Sequence, residues 1–529
     1  MRKKLRIVSV LSVLLIFAML FSACGTSSND VGPSSTSSSP EASVSSTAGG
    51  TDTTVSADPV LKDGNPVELN LYVPGPNANP SSLAEVESSI DDIIKDKIDA
   101  TIKFNIIEWG SYADQLNLIL SSGENADIAF TFSSTTTFAR NGQVQDITPL
   151  VQKYASDTYG QFEKYLDACK VNGQLYGLPT FHEYAYSAGL VCRKDIFDQT
   201  GIDASTVKTW DDVENVIKKV REQNPKMNLL TNPETSAGAL EYLNTGIFDI
   251  LQNDSKVGIY VNENQGDKLQ VLSIFSTPEY MDMAKKAYDW NKKGYFVPDI
   301  TTNSVTRQDM IKAGNTFGFV GQIHPGIVNQ ETNNSGKQMM TVPITDAVSA
   351  TANVNFAQYM IPTACKNPEK AVAFLNILYS DKNVQNLYSY GIEGKDYVIK
   401  DKDKGIIGFP DGKDGTSVGW NMETWLTGNA SISYTRDTDS PSHWQDYLDF
   451  NSKATISPLY GFVYDTANVQ NEIAAVKNVL SKYQAVIESG YADPDKSVAA
   501  LNKELQDAGI QKIIDDGQQQ VDKFLAAKK

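Results

Sequence analysis

Residues 67–109 read VELNLYVPGPNANPSSLAEVESSIDDIIKDKIDATIKFNIIEW. A β-type run at 67–73 precedes a helix with apolar residues along one side, and an alternating strand pattern follows at 101–109. The helix is predicted to begin at Ser82-Leu83-Ala84-Glu85, because this sequence is a capping box. A second helix and a strand ending at Phe132 repeat the order. Strand–helix–strand repetition with short links predicts a parallel sheet and the α/β fold class.

The carboxyl ends of these predicted strands supply the first candidate ligand contacts. Ligands bind beyond this edge of a parallel sheet, and the strand ends bring their side chains together there. Aromatic and small polar side chains commonly contact a polar ligand in a cleft. The candidates are Asn77, Trp109, Phe132 and Ser133.

A second alternating region starts at the strand-like residues 188–192 and is followed by a helix at 211–221, with Thr209 as the predicted N-cap. Further on, helices are predicted at 278–293 and 368–379 and a strand at 317–323. The chain from Asn468 onward is mostly amphipathic helix. These patterns predict two α/β lobes with a helical C-terminal region.

The N terminus has the order of a secretory signal peptide. Four basic residues precede an apolar stretch at 7–21, which is followed by Ser22-Ala23-Cys24-Gly25. The apolar stretch is shorter than the roughly 20 residues that span a bilayer. Residues 1–23 are therefore predicted to be the signal peptide. Its order resembles bacterial lipoprotein signals, which implies lipidation of Cys24.

Residues 24–60 are predicted to be the lipidated cysteine and a disordered tether. Between 25 and 60, 24 of 36 residues are Ser, Thr, Gly or Pro. A chain of this composition buries too little apolar surface to order itself. A flexible tether lets a globular body move over the membrane that holds it.

The charge balance of the 529-residue chain is acidic. Its 64 Asp and Glu residues outnumber 46 Lys and Arg, and removal of the signal's four basic residues takes the net charge from −18 to −22. This balance disfavours nucleic acid as a ligand. After Cys24 the cysteines are Cys169, Cys192 and Cys365. An odd number rules out a closed disulfide framework and leaves one bridge open, although three buried apolar residues are favoured.

Three motifs carry a family resemblance. NGQLYGLP at 172–179, RKDIF at 193–197 and TWDD at 209–212 resemble the family 1 extracellular solute-binding proteins, the receptors of ATP-driven sugar importers. YGIEGK at 390–395 and the run at 501–524 resemble a lipoprotein subfamily of these receptors with a C-terminal domain of unknown function.

The resemblance implies a two-lobe fold of the type II periplasmic-binding-protein class, with an oligosaccharide bound in a cleft that closes by hinge bending. We assign 61–181 plus 353–400 to lobe 1, and 182–352 plus 401–529 to lobe 2 with its helical tail. The implied partners are the permease subunits of an importer, and the protein is expected to be monomeric. It is expected on the outer face of the cytoplasmic membrane, held by its lipid alone, without cofactor or bound metal.

Ten more side chains complete the predicted ligand site. His182 to Tyr184 follow the point where the family's chain first crosses between lobes, and Gln322 and His324 end a β-type run of the second lobe. The aromatic platform is expected from Trp109 with Trp420 or Trp425, although core packing is an equal alternative for each of these rings. The ten are His182, Glu183, Tyr184, Gln322, His324, Tyr390, Glu393, Trp420, Asn421 and Trp425.

Catalysis is not predicted. Gly415-Thr416-Ser417-Val418-Gly419 matches the pattern of a hydrolase nucleophile, but a turn precedes it and no helix pattern follows. The three histidines lack the spacing of metal ligands, and no phosphate-binding GxxxxGK[ST] occurs. A carboxylate pair for glycoside hydrolysis stays open. The alternatives are therefore a surface-anchored polysaccharide-degrading enzyme and a non-catalytic glycan adhesin.

Overall fold

The computed structural model describes residues 59–234, 238–262 and 269–528. The predicted signal peptide, Cys24 and nearly all of the tether lie outside the described residues. Within the described ranges, no helix is long and apolar enough to cross a membrane.

The first lobe is built on a five-stranded sheet. Its first three strands in the chain are parallel to one another, as the sequence predicts, and the last two pair in antiparallel fashion. The parallel strands therefore end at one common edge. The strand order is Ala100–Glu108, Val67–Gly75, Ile128–Phe132, Ala357–Met360 and Leu178–Pro179.

The first lobe's helices pack apolar faces onto this sheet. The first helix, Leu83–Ile98, buries one side chain per turn, from Val86 to Ile98. Its start differs from the predicted capping box, because the Ser82 hydroxyl donates to Asp396 Oδ1 at 2.9 Å instead of capping the helix. The other helices are Tyr112–Ser122, Thr135–Arg140, Thr148–Tyr154, Ser156–Leu166, Thr351–Val354, Pro368–Ser380, Lys382–Tyr390 and His443–Lys453.

The second lobe is built on a four-stranded sheet ordered Met339–Pro343, Ser187–Arg193, Thr316–Ile323 and Asn228–Thr231. Thr209 caps the helix Trp210–Gln223 as predicted, in a reciprocal box with Asp212. A smaller sheet lies beside it, made of Phe248–Gln252, Val257–Tyr260 and Leu272–Ser273. The remaining helices are Lys194–Gln199, Pro278–Lys292, Arg307–Lys312, Ile327–Ser335, Gln470–Glu488, Pro494–Asp507 and Ile510–Lys528.

Within the described residues, the chain passes between the two lobes at three places. The first passage leads to Tyr186, which bridges to Val348 in the second passage. Val348–Ser349 in turn pairs in parallel with Thr455–Ile456, the third passage. Three adjacent extended segments form a hinge that the lobes share.

The structure corrects one predicted lobe boundary. Residues 401–453 do not belong to lobe 2, because four of their side chains lie in the apolar core of the first lobe. A small sheet of Val398–Asp401, Ile406–Gly408 and Thr435–Arg436 also belongs to this late part of lobe 1. The core residues are Trp420, Met422, Leu426 and Ala430. Lobe 2 resumes after the third passage, where Leu459 enters the second core.

Candidate functional site

Four aromatic side chains gather at the carboxyl edge of the first sheet. The ring of Trp425 has its centroid 5.9 Å from Trp109, 5.8 Å from Phe132 and 6.1 Å from Phe356. Trp109 stays 39% exposed and Phe356 43% exposed. Large exposed rings in contact with one another form a surface on which a ligand can stack. We call Trp109, Phe132, Phe356 and Trp425 the aromatic platform.

The backbone at the strand ends determines where the rings of the platform lie. Trp109 begins a short helical turn directly after its strand, and Phe132 is the last residue of the next strand. Ser133 then adopts a left-handed φ of 50° and donates its N–H to the Phe356 carbonyl at 2.8 Å. This bond holds Phe356 beside Phe132. Trp425 reaches the same edge from the late segment that the sequence assigns to lobe 2.

The first hinge passage forms the floor next to the platform. The His182 ring lies 6.2 Å from the Phe356 ring, and its Nδ1 and Nε2 lie 2.8 Å from Thr180 O and 2.9 Å from Asn353 O. Its side chain is buried. Asn451 fastens the same segment, since it donates to His182 O at 2.8 Å. His182 therefore ties two hinge passages together rather than presenting free nitrogen to a ligand.

Polar side chains continue from the floor toward the second lobe. Glu183 lies 3.9 Å from His324 Nδ1, which also approaches Pro325 O at 2.9 Å. Tyr186 packs edge-on against His324 at 5.9 Å. Burial, the Glu183 charge and a hydrogen bond with its carboxylate raise the pKa of Tyr186, so its hydroxyl stays protonated. Glu183 and His324 are both half-buried.

The helix His443–Lys453 completes this polar region. Burial lowers the pKa of His443, although the carboxylates of Asp439, Asp446 and Glu183 oppose the shift. Burial and the Glu183 and Asp439 charges raise the pKa of Tyr447. Asn329 of the second lobe donates to Asp439 Oδ1 at 3.4 Å. Side chains of both lobes thus meet around Glu183 and Asp439.

Three of the predicted ligand contacts lie in the core. Tyr184 is fully buried and donates to Thr180 O at 2.7 Å, and Tyr390 donates to Tyr434 O at the same distance. Trp420 is 1% exposed, and its Nε1 donates to Tyr388 O at 2.8 Å. Each polar tip donates to a backbone carbonyl and each ring is buried, so we correct these three positions to core residues.

Five predicted contacts lie at or near the surface. Asn77 is exposed and accepts from its neighbour Asn79, while Glu393 is exposed in a turn. Ser133 is exposed beside the platform. Gln322 is half-buried near the end of its strand, and Asn421 accepts from Arg436 Nη2 at 2.7 Å. Of the full predicted set, the structure brings Trp109, Phe132, Ser133 and Trp425 together on one side, and Glu183 and His324 on the other.

Comparison with known protein families identifies the class. Residues 80–385 match the model of the bacterial extracellular solute-binding proteins, and 458–526 match a domain of unknown function, DUF3502. The chain belongs to the bacterial extracellular solute-binding proteins. A relative from Streptococcus pneumoniae is 26% identical over 85% of this chain and 90% of its own length, and is described as a carbohydrate ABC transporter substrate-binding protein. Lipoprotein LipO of Bacillus subtilis is 24% identical over 63% of this chain and 68% of its own.

Solved structures agree with this assignment and confirm the predicted two-lobe fold. A crystal structure of the N-glycan transport solute-binding protein NgtS from S. pneumoniae, 26% identical, matches with a TM-score of 0.75 over 88% of this chain and all of that chain. NgtS in complex with Man1GlcNAc, 24% identical over 87% of this chain and all of its own, matches at 0.63. The complex of NgtS with Man5GlcNAc is 26% identical and matches with a TM-score of 0.60 over 88% of this chain and all of that chain.

The serine of the hydrolase-like motif does not have the surroundings of a nucleophile. Ser417 of this solute-binding protein lies in an exposed turn, where its hydroxyl contacts Asp414, and neither a strand nor a helix flanks it. It therefore lacks the setting of a hydrolase nucleophile. In the described part of the chain, no group of three or more His, Cys, Asp or Glu side chains is arranged to hold a metal ion. Cys169, Cys192 and Cys365 are all free thiols.

Residues that the sequence did not indicate complete the candidate site. Phe356 directly precedes the strand Ala357–Met360. No local sequence pattern marks it as an exposed aromatic residue. Tyr186, Tyr447 and Asp439 come from the hinge and the late segment, which meet only in the folded chain. A separate cavity of 260 Å³ lies in the second lobe, lined among others by Glu241, Asp254, Lys477 and Gln484, and is not part of this site.

Proposed function

We propose that this solute-binding protein is the receptor that delivers an oligosaccharide to an ATP-driven importer. The carrying observation is the aromatic platform, which lies beside the hinge, where polar side chains of the hinge and of both lobes meet. Rings stack on the CH-rich faces of sugars, while carboxylate, hydroxyl and imidazole groups bind sugar hydroxyls. The relatives described as carbohydrate receptors support the same ligand class.

Delivery requires that the ligand close the hinge. A ligand shifts the lobes toward closure only through contacts that it gains in the closed form. Here the platform belongs to lobe 1 and His324 to lobe 2, so a ligand touching both gains such contacts on closure.

Truncation of the platform tests the proposal. Trp425→Ala and Trp109→Ala are each expected to weaken oligosaccharide binding about 5- to 150-fold, since loss of one stacked ring costs about 1–3 kcal/mol by analogy with base stacking. Isothermal titration of the full mature chain against a glycan panel measures the loss. Tyr491→Ala, which removes an equally exposed ring outside the site, should bind as the wild type does. Unchanged affinity in both tryptophan variants would contradict the proposal.

We also propose that Cys24 anchors the receptor by a lipid at the outer face of the cytoplasmic membrane, next to the importer permease. The lipoprotein-like signal and the similarity to LipO support this anchor. One thioether-linked diacylglycerol together with an N-acyl chain suffices to hold a protein stably at a bilayer.

The Cys24→Ala variant tests the anchor. Without the thiol no thioether can form, so the protein should appear in the medium or stay unprocessed with its signal attached. Fractionation followed by mass spectrometry of the N terminus distinguishes these forms from the lipidated one. A Cys169→Ala variant, which changes a buried thiol, should remain lipidated. A processed Cys24→Ala protein that stays on the membrane would show that the anchor is elsewhere.

A further inference from the structure

The polar half of the site holds acidic groups that form no salt bridge with lysine or arginine among the described residues. Among the described residues, the 3.9 Å contact with His324 is the one ion pair of Glu183. Across the described residues, neither Asp439 nor Asp446 forms a salt bridge with lysine or arginine, although such pairs are frequent elsewhere on this chain. These carboxylates therefore have no lysine or arginine in a direct ion pair among the described residues, and the Arg436 charge acts on Asp439 without such a pair.

The one arginine beside this region is already engaged. The Arg436 guanidinium stacks over the Phe409 ring at 3.9 Å and over Tyr390 at 4.9 Å. Its Nη2 donates to Asn421 Oδ1 at 2.7 Å. Burial lowers the pKa of Arg436, and the charges of Asp437 and Asp439 oppose this shift. Its Nη1 has no hydrogen-bond partner among the described residues but is buried. Because Nη2 is paired and Nη1 is enclosed, the guanidinium does not present two accessible N–H groups to a ligand carboxylate.

Unpaired carboxylates act in opposite ways on neutral and anionic glycans. Sugar hydroxyls can donate charge-assisted hydrogen bonds to them, which are about twice as strong as neutral ones. A carboxylate or sulfate on the ligand instead meets like charge in a partly desolvated cleft, where repulsion is stronger than in water. The four rings of the aromatic platform carry no charge that offsets this repulsion.

We propose that Glu183 and Asp439 make the site selective for uncharged, hydroxyl-rich oligosaccharides and exclude glycans that carry carboxylate or sulfate groups. This inference rests on the proposed receptor function and deepens it. Both residues act as specificity-determining contacts: they accept from hydroxyls of the ligand and repel its anionic analogue.

A matched pair of ligands tests the selectivity. We take the full mature chain and an uncharged oligosaccharide, beginning with Man5GlcNAc, together with the same compound oxidised to a uronate at a primary hydroxyl. The wild type should bind the uncharged form at least about tenfold more tightly by isothermal titration. Glu183→Gln and Asp439→Asn should each reduce this ratio several-fold, chiefly by improving binding of the oxidised form.

Asp449→Asn is the matched control. Asp449 lies on the same helix as His443 but is exposed and paired with Lys453, so this variant should keep the wild-type ratio. Circular dichroism verifies that each variant is folded, and the two site variants are independent of each other. Equal binding of both ligands by the wild type, or an unchanged ratio in both site variants, would overturn the inference while leaving the receptor function standing. Failure of the wild type to bind any oligosaccharide of a neutral panel would overturn the receptor function itself.

Discussion

Trp420→Ala is expected to lower the free energy of unfolding by about 3–5 kcal/mol and to leave the ligand affinity of the folded protein unchanged. The ring is 1% exposed and packs edge-on against Phe104, with centroids 5.4 Å apart. Its removal leaves a cavity and takes the indole donor away from Tyr388 O. Denaturant unfolding and titration on the same sample measure both quantities.

Trp425→Ala should show the opposite pattern, because its ring belongs to the half-buried platform. The two variants therefore form a pair in which stability and affinity are affected separately. A Trp420→Ala protein with wild-type stability and weakened binding would return Trp420 to the ligand site and contradict its position in the core.

The free energy of unfolding is expected to fall as the pH rises from about 4.5 to about 8, because of Glu488. This carboxyl is buried at the end of the helix Gln470–Glu488, and burial together with the Glu241 charge raises its pKa to about 8. Its Oε2 has no hydrogen-bond partner within the described structure. Since the unfolded chain releases this proton near pH 4.5 and the folded chain keeps it, each pH unit in the window costs up to about 1.4 kcal/mol.

Glu488→Gln should remove this slope, because an amide of the same shape does not titrate. Relative to the wild type, the variant should gain about 3 kcal/mol in unfolding free energy between pH 5 and pH 7.5. Glu472→Gln is the control on the same helix. Its carboxyl pairs with Lys512 at 2.7 Å, which lowers its pKa, so its effect on stability should be constant over this window. Parallel pH curves for Glu488→Gln and the wild type would show that Glu488 is charged in the folded protein.

The fold was predictable because its signals are local. The helix from Leu83 to Ile98 and the N-cap at Thr209 follow from spacing along a few turns of chain. The same holds for the three parallel strands of the first sheet. The antiparallel strands that close this sheet come from distant parts of the chain, and no local pattern fixes their direction.

The site was only partly predictable because long-range contacts decide it. Trp109 and Phe132 follow from strand ends, which a parallel sheet brings together. Trp420 was placed in the cleft from its turn-rich neighbours, yet Asp396 accepts from both the Trp420 N–H and the Ser82 hydroxyl. These hydrogen bonds connect segments more than 300 residues apart and hold the loop around Trp420 in the core. The environments of Phe356 and Asp439 likewise depend on partners far away in sequence.

The three hinge passages also determine when the chain can fold. The first core needs residues from Leu61 up to Tyr460, and the second needs residues from Leu190 up to Val521. Neither lobe is a continuous stretch, so neither core can close until most of the chain has been synthesised. A chain that stays open this long can be threaded through a membrane exporter before it folds, as its proposed signal peptide requires.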